Sequence, residues 1–247
     1  MLGLPGGVTV CLFDLDGVLT QTAKVHAAAW KEMFDAFLRD RAAGRDEAFA
    51  PFEPVHDYDE YVDGRPRADG VRSFLASRGI ELPEGQSDDP ADAATVSGLG
   101  TRKNEIVLKM IREQGVEAYD GSVRYVKAAR DGGLRRCVVS SSSNCREVLA
   151  AAGIADLFDE IIDGKVASAQ KLAGKPAPDT YLAGARAVGE TADHTAVFED
   201  ALVGVEAGRA GNFAIVIGID RVGQAAQLKA HGADIVVGDL AELLEAP

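Results

Sequence analysis

A chain of 247 residues, 47% of them hydrophobic, is too apolar for disorder and long enough for one sizeable core with a smaller domain attached. Its 39 acidic against 26 basic residues leave a formal charge of -13, which opposes nonspecific attraction to nucleic acid or to an anionic membrane, so an anionic ligand needs a locally positive pocket. Three cysteines, Cys11, Cys137 and Cys145, are an odd set without zinc-ligand spacing and read as reduced core residues. The opening "MLGLPGGVTV" has no basic segment ahead of its apolar residues, no run is long enough to span a bilayer, and a cytoplasmic location is the expectation.

The first strand expected is "VTVCLFDLD", a run that reads as buried yet ends in two aspartates, Asp14 and Asp16. Carboxylates in such a place must be hydrated, paired or bound to a cation. Residues 23–115 then contain no convincing strand: a helix over "TAKVHAAAWKEMFDAFL", a loop rich in charge and Pro over 39–61, and helical pieces around "ADGVRSFLASRG" and "TRKNEIVLKMIREQG". From residue 120 the pattern alternates: helix 121–131, strand "RRCVVSS", helix "REVLAAAGI", strand "FDEIID", helix "PDTYLAGARAVG", strand "TAVFED", helix, strand "AIVIGI", helix "GQAAQLKAHGA" and strand "DIVVG". Such alternation implies an α/β fold, a doubly wound, Rossmann-like parallel sheet. The expected division is a core domain of residues 1–22 and 116–247 with an inserted helical domain of residues 23–115.

In an open parallel sheet, ligands bind beyond the carboxyl ends of the strands. Asp14 and Asp16 end the first strand, Ser140 ends "RRCVV", Lys175 opens a helix, and Glu199 with Asp200 end "TAVF". Together these are the parts of a phosphoryl-transfer site. Asp14, Asp200 and the backbone carbonyl of Asp16 suit Mg2+, which takes hard oxygen ligands. The Asp14 carboxylate can attack phosphorus if the metal and Lys175 neutralise the charge that repels it. Asp16 can act as acid and base, and the "SSSSN" turn with Ser141, Ser142 and Asn144 offers hydroxyls and N–H groups to phosphate oxygens.

"FDLDGVLT", "SSSSN", "GKPAPD" and "VFEDALVGVEAG" resemble, in order, the four motifs of the haloacid dehalogenase superfamily of phosphotransferases. The resemblance implies a nucleophile at Asp14, an acid/base at Asp16, phosphate contacts at Ser140 and Lys175, and Mg2+ at Asp14, Asp16, Glu199 and Asp200. It also makes the inserted helices the cap domain that closes over the site. "DGVLTQTAKVHAAAW", "GRPRADGV" and "TRKNEIVLKMI" are similar to the β-phosphoglucomutase branch. That match implies a hinge and acid/base control at Thr22 and His26, with Trp30 and Gly64 near the substrate. Arg67 would hold the distant phosphate, and Lys103 with Asn104 the sugar-phosphate. The implied reaction converts β-glucose 1-phosphate to glucose 6-phosphate through the 1,6-bisphosphate, in a monomer or weak homodimer with no nucleic-acid or membrane partner. A sugar-phosphate phosphatase and, more remotely, a non-enzymatic phospho-acceptor are the alternatives. Gln21 stands where the branch carries an acidic residue, Ala201 follows "ED" where Ser is common, and the 39–61 loop is long for a compact cap.

Overall fold

The computed structural model describes residues 2–45 and 48–245. The chain forms two compact units: one takes in residues through Gln21, Gly64–Pro66 and Val116 onward, the other Thr22–Asp63 and Arg67–Gly115. Thr22 therefore falls with the helical unit, while Gly64 and Arg65 fold with the sheet.

The sheet unit holds six parallel strands: β1 Val10–Phe13, β2 Arg135–Val139, β3 Glu160–Ile162, β4 Thr195–Glu199, β5 Ile215–Ile219 and β6 Ile235–Val237. Their spatial order is β3-β2-β1-β4-β5-β6, so the winding reverses at β1. The carboxyl end of the strand at such a reversal opens the ligand crevice of doubly wound folds. All four residues of β1 are buried, because alternate side chains enter different packing layers. Val10 and Leu12 join Cys137, Val139, Val197 and Val216 under helices α7 (Asp179–Ala187) and α8 (Leu202–Ala210). Phe13 turns the other way, stacked on Phe198 with ring centroids 4.6 Å apart and edge-on to Tyr125 of α4 (Asp120–Asp131) at 6.3 Å.

Helices α5 (Cys145–Ala151) and α9 (Ala225–Ala230) fall where the alternation expects them. Two short helices escape it, α6 (Gly164–Ala169) and α10 (Glu242–Glu245). Neither is long enough to display a 3.6-residue period. The cue for α6 is its cap, where Asp163 Oδ1 accepts the Val166 N–H at 2.8 Å.

The helical unit comprises α1 (Ala23–Ala43), α2 (Arg67–Ser77) and α3 (Val96–Gln114), with one turn of π-helix at Tyr58–Val62. α1 presents Trp30, Met33, Phe34 and Leu38 to a core shared with Phe52, Val71, Phe74 and Leu99. The expected loop over 39–61, of which residues 46 and 47 lie outside the described ones, is corrected here. Its first residues, 39–43, continue α1, and Phe52 is 0% exposed, 5.5 Å from the Phe34 ring and 5.0 Å from Phe74. Buried Asp35 accepts the Phe52 N–H at 2.8 Å, and Lys31 donates to the Phe52 carbonyl at 2.9 Å. Asp57 accepts from Glu53 N–H and from Arg78, which also reaches the Pro51 carbonyl at 3.1 Å. The described part of this segment is a pinned layer of the helical core. No helix among the described residues is long and apolar enough to cross a membrane.

Candidate active site

Asp14 stands one residue past β1, its N–H still paired with the Phe198 carbonyl at 3.0 Å, so strand pairing itself aims the side chain. Lys175 Nζ lies 2.5 Å from Asp14 Oδ1 and 2.5 Å from Glu199 Oε1, all three groups buried. Glu199 is 0% exposed and satisfied at both oxygens: Oε1 also accepts the Tyr181 hydroxyl at 3.1 Å, and Oε2 accepts the Ala201 N–H at 2.8 Å. The Lys175 ammonium rests 4.9 Å from the Tyr181 ring centroid, a cation–π contact.

Burial alone would push Lys175 down, but Asp14 and Glu199 outweigh it and hold the lysine above its usual range, so it stays an ammonium. Burial pushes the Asp14 carboxyl well up, Lys175 opposes this, and Glu199 and Asp16 add to it. One lysine does not balance so many acids. Oxygen atoms of Asp14, Glu199 and Asp200 lie within 4.8 Å of one another. An all-oxygen set with surplus negative charge fits a hard divalent cation such as Mg2+. The Asp16 side chain is not part of that triad.

Asp16 lies in a tight turn. The Leu15 carbonyl accepts N–H groups from Leu19 at 2.9 Å and Thr20 at 3.0 Å, and the Gly17 N–H returns to the Thr20 carbonyl at 2.8 Å. Gly17 has φ of +86°, open to glycine and strained for other residues.

The "SSSSN" segment folds on itself. Ser140 Oγ accepts the Ser142 N–H at 3.1 Å and Ser142 Oγ accepts the Asn144 N–H at 3.2 Å. Those two N–H groups, expected to face phosphate, are spent within the turn. Ser140 and Ser142 accept in these bonds and keep their O–H groups to donate. Ser141 instead donates to the Gly64 carbonyl at 2.8 Å, so both are engaged in packing. Gly64 has φ of +66° and sits against Ala201 and Val203.

In the helical unit, Thr22 immediately precedes α1 and its carbonyl accepts the His26 N–H at 2.9 Å. His26 Nδ1 lies 2.8 Å from Lys103 Nζ. An ammonium only donates, so beside a charged Lys103 it is Nδ1 that accepts. Lys103 is buried, 4.7 Å from the Trp30 ring centroid. Trp30 itself is 3% exposed and stacked on Phe34 at 5.2 Å, a packed core ring that also seats Lys103. Arg67 lies across Gly100, one turn before Lys103 and Asn104 on α3, and burial lowers its pKa.

Tyr181 and Arg221 are site neighbours that pattern reading did not single out. The first looks like one more periodic apolar residue of α7. The second is a charged residue just past β5, and its place at the carboxyl edge of the sheet was the available signal. Cys145 is buried and its thiol is pushed well up by burial, which leaves it chemically inert.

A buried aspartate and lysine at the winding reversal of a parallel sheet, beside an acidic triad, define an enzyme site of the phosphotransferase kind. The chain belongs to the haloacid dehalogenase-like hydrolase family, whose model matches residues 8–212. It is 57% identical over 247 residues to the β-phosphoglucomutase of Mycobacterium bovis, covering 99% of this chain and 94% of the relative. It is 29% identical over 234 residues to the β-phosphoglucomutase of Bacillus subtilis, covering 94% and 90%. A β-phosphoglucomutase structure from Clostridium difficile superposes with a TM-score of 0.75 at 22% identity, covering 96% of this chain and 93% of that one.

Proposed function

We propose that this enzyme is a Mg2+-dependent β-phosphoglucomutase that works through a phosphoryl group on Asp14. The observation that carries the reading is the Lys175 ammonium 2.5 Å from Asp14 Oδ1 at the end of the central strand, and the kinship with β-phosphoglucomutases supports the substrate. An Asp14 oxygen forms a bond to phosphorus as the bond from phosphorus to the donor's oxygen breaks. Asp16 gives its proton to that departing oxygen and takes one from the incoming hydroxyl in the return step. The phosphoryl group on Asp14 passes to the 6-hydroxyl of β-glucose 1-phosphate, giving the 1,6-bisphosphate; the C1 phosphoryl then returns to Asp14 and glucose 6-phosphate leaves. Lys175 neutralises the attacking carboxylate throughout, and Glu199 holds Lys175 in place. A divalent cation held by Asp14, Asp200 and Glu199 would supply the remaining charge neutralisation and orient phosphoryl oxygens. The O–H groups of Ser140 and Ser142 serve the transferring phosphoryl, while Arg67, with Lys103 and Asn104, serves the distal phosphate and sugar. Arg suits that role through its bidentate fork.

The test is an assay of purified enzyme with β-glucose 1-phosphate, Mg2+ and a trace of the 1,6-bisphosphate, following glucose 6-phosphate and free phosphate together. Glucose 6-phosphate without matching phosphate, lost in Asp14→Asn, is the expected result. Phosphate release alone would replace the mutase with a phosphatase.

A further inference from the structure

The turn that carries Asp16 is held by side chains from distant segments, and we propose that Arg221 is a positioning residue that fixes Asp16 for proton transfer. Arg221 follows β5 closely. Its Nε donates to the Gly17 carbonyl at 2.9 Å, directly after Asp16 in the chain. Its Nη1 donates to the Gly238 carbonyl at 2.8 Å and pairs with Asp239 Oδ2 at 3.1 Å, and its guanidinium stacks 3.7 Å from the Tyr119 ring centroid. Nη2 reaches Ser122 Oγ at 3.5 Å, and that hydroxyl donates to the Val18 carbonyl at 2.6 Å. Two consecutive carbonyls of the turn, Gly17 and Val18, are thus gripped by Arg221 directly and through Ser122.

The geometry is specific to a planar fork. A single guanidinium reaches Gly17, Gly238 and Ser122 at once while its face lies on Tyr119, which a lysine ammonium does not reproduce. Elsewhere in the turn the Leu19 carbonyl accepts the Tyr119 N–H at 2.9 Å and the Thr20 carbonyl accepts from Gly17, while the Thr20 hydroxyl donates to the Leu15 carbonyl at 3.2 Å. Arg221 therefore brings a charged donor to this turn from a distant segment. Proton transfer demands heavy-atom reach of roughly 2.6–3.2 Å. A misplacement of about 1 Å lowers the rate by roughly 100-fold.

This rests on the reading of Asp16 as acid/base, so the test keeps the two claims apart. Phosphorylation of Asp14 is followed in a single turnover from two donors. Glucose 1,6-bisphosphate loses an alkoxide that needs a proton, whereas 2,4-dinitrophenyl phosphate loses a phenolate that does not. Asp16→Asn, Arg221→Met and Ser122→Ala are compared with the parent enzyme. In Arg221→Met the rate from the bisphosphate is expected to fall roughly 10- to 100-fold while the aryl donor changes less than about 3-fold and the bisphosphate KM stays within about 3-fold. Ser122→Ala is expected to show the same selectivity at roughly 3- to 10-fold, and decides the matter if Arg221→Met does not fold. Combining Arg221→Met with Asp16→Asn should add little to Asp16→Asn alone. Equal losses from both donors, or no loss from either, would overturn the proposal while Asp16→Asn remains selective. An Asp16→Asn enzyme without donor selectivity would overturn the acid/base reading itself and the positioning role with it.

Discussion

Gly17 and Asp200 meet so closely that a β-carbon at position 17 would overlap the Asp200 carboxyl group. The glycine also holds φ of +86°, so position 17 is restricted both by conformation and by space. Gly17→Ala must either strain the turn or push the Asp200 carboxylate out of the acidic triad. Backbone strain of this kind is worth about 1–3 kcal/mol. The variant is expected to fold, to melt earlier, and to need roughly 10-fold more Mg2+ for half-maximal turnover. Thermal melting and a Mg2+ titration check both parts, and an unchanged Mg2+ requirement would remove Asp200 from the cation's ligands.

Lys175 balances two buried carboxylates, so its removal should be more damaging than the loss of one hydrogen bond. Lys175→Met leaves Asp14 and Glu199 without their cation and is expected to destabilise the protein by about 3–5 kcal/mol while abolishing phosphoryl transfer. Tyr181→Phe keeps the ring beneath the ammonium and deletes only the donor to Glu199, for about 1–2 kcal/mol. Urea unfolding of the two single variants and the double variant measures the coupling. If Tyr181→Phe proved as harmful as Lys175→Met, the hydroxyl rather than the ammonium would be the principal partner of Glu199.

The sheet was readable because strands flanked by helices leave near-continuous apolar runs such as "VCLF" and "TAVFE", each ending in polar residues at the edge where ligands bind. Asp14, Lys175, Glu199 and Asp200, far apart in sequence, meet because those runs are parallel neighbours. The helical unit was legible as helix but not in its packing. Phe52 sits in a stretch with no period, and the stretch is anchored from afar, at Phe52 by Asp35, 17 residues before it, and at Pro51 by Arg78, 27 residues after it. The "SSSSN" pattern offers the N–H groups of Ser142 and Asn144 to a ligand, yet neighbouring hydroxyls consume those groups, a local competition that residue type alone does not decide. Arg221 is one polar residue among several in its loop until its partners, Gly17 and Ser122, arrive from distant segments.

Asp220 makes acid stability informative. Its carboxylate accepts N–H groups from Gly223 at 2.7 Å, Gln224 at 2.8 Å, Ala225 at 3.2 Å and Val222 at 3.3 Å. Burial acts to raise its pKa, but these four donors outweigh it and the folded value lies below the ordinary one. A depressed folded pKa contributes stability that is complete above the unfolded value, near 3.9, and is lost as pH falls through the folded value. Asp220→Ala is therefore expected to cost about 1 kcal/mol at neutral pH, with the difference from the parent shrinking as pH drops below about 3.9. Urea unfolding across acidic pH measures this, and a pH-independent difference would assign the effect to packing.

Arg67 illustrates a tension between stability and binding. Burial lowers its pKa and no carboxylate among the described residues forms an ion pair with it, so the guanidinium loses hydration without a compensating charge. A phosphate would supply that charge. Replacing the residue with an apolar one should relieve the penalty in the unliganded protein and remove the benefit in the complex. Arg67→Leu is expected to raise the unliganded melting temperature, by an amount equivalent to about 0.5–1 kcal/mol, and to shrink the further rise caused by glucose 1,6-bisphosphate. Arg65→Ala, at a position that folds with the sheet unit, is expected to leave the bisphosphate shift within about 3-fold in apparent affinity. A lower unliganded melting temperature in Arg67→Leu together with an undiminished ligand shift would make Arg67 a structural residue and pass the distal phosphate to Arg65 or Lys103.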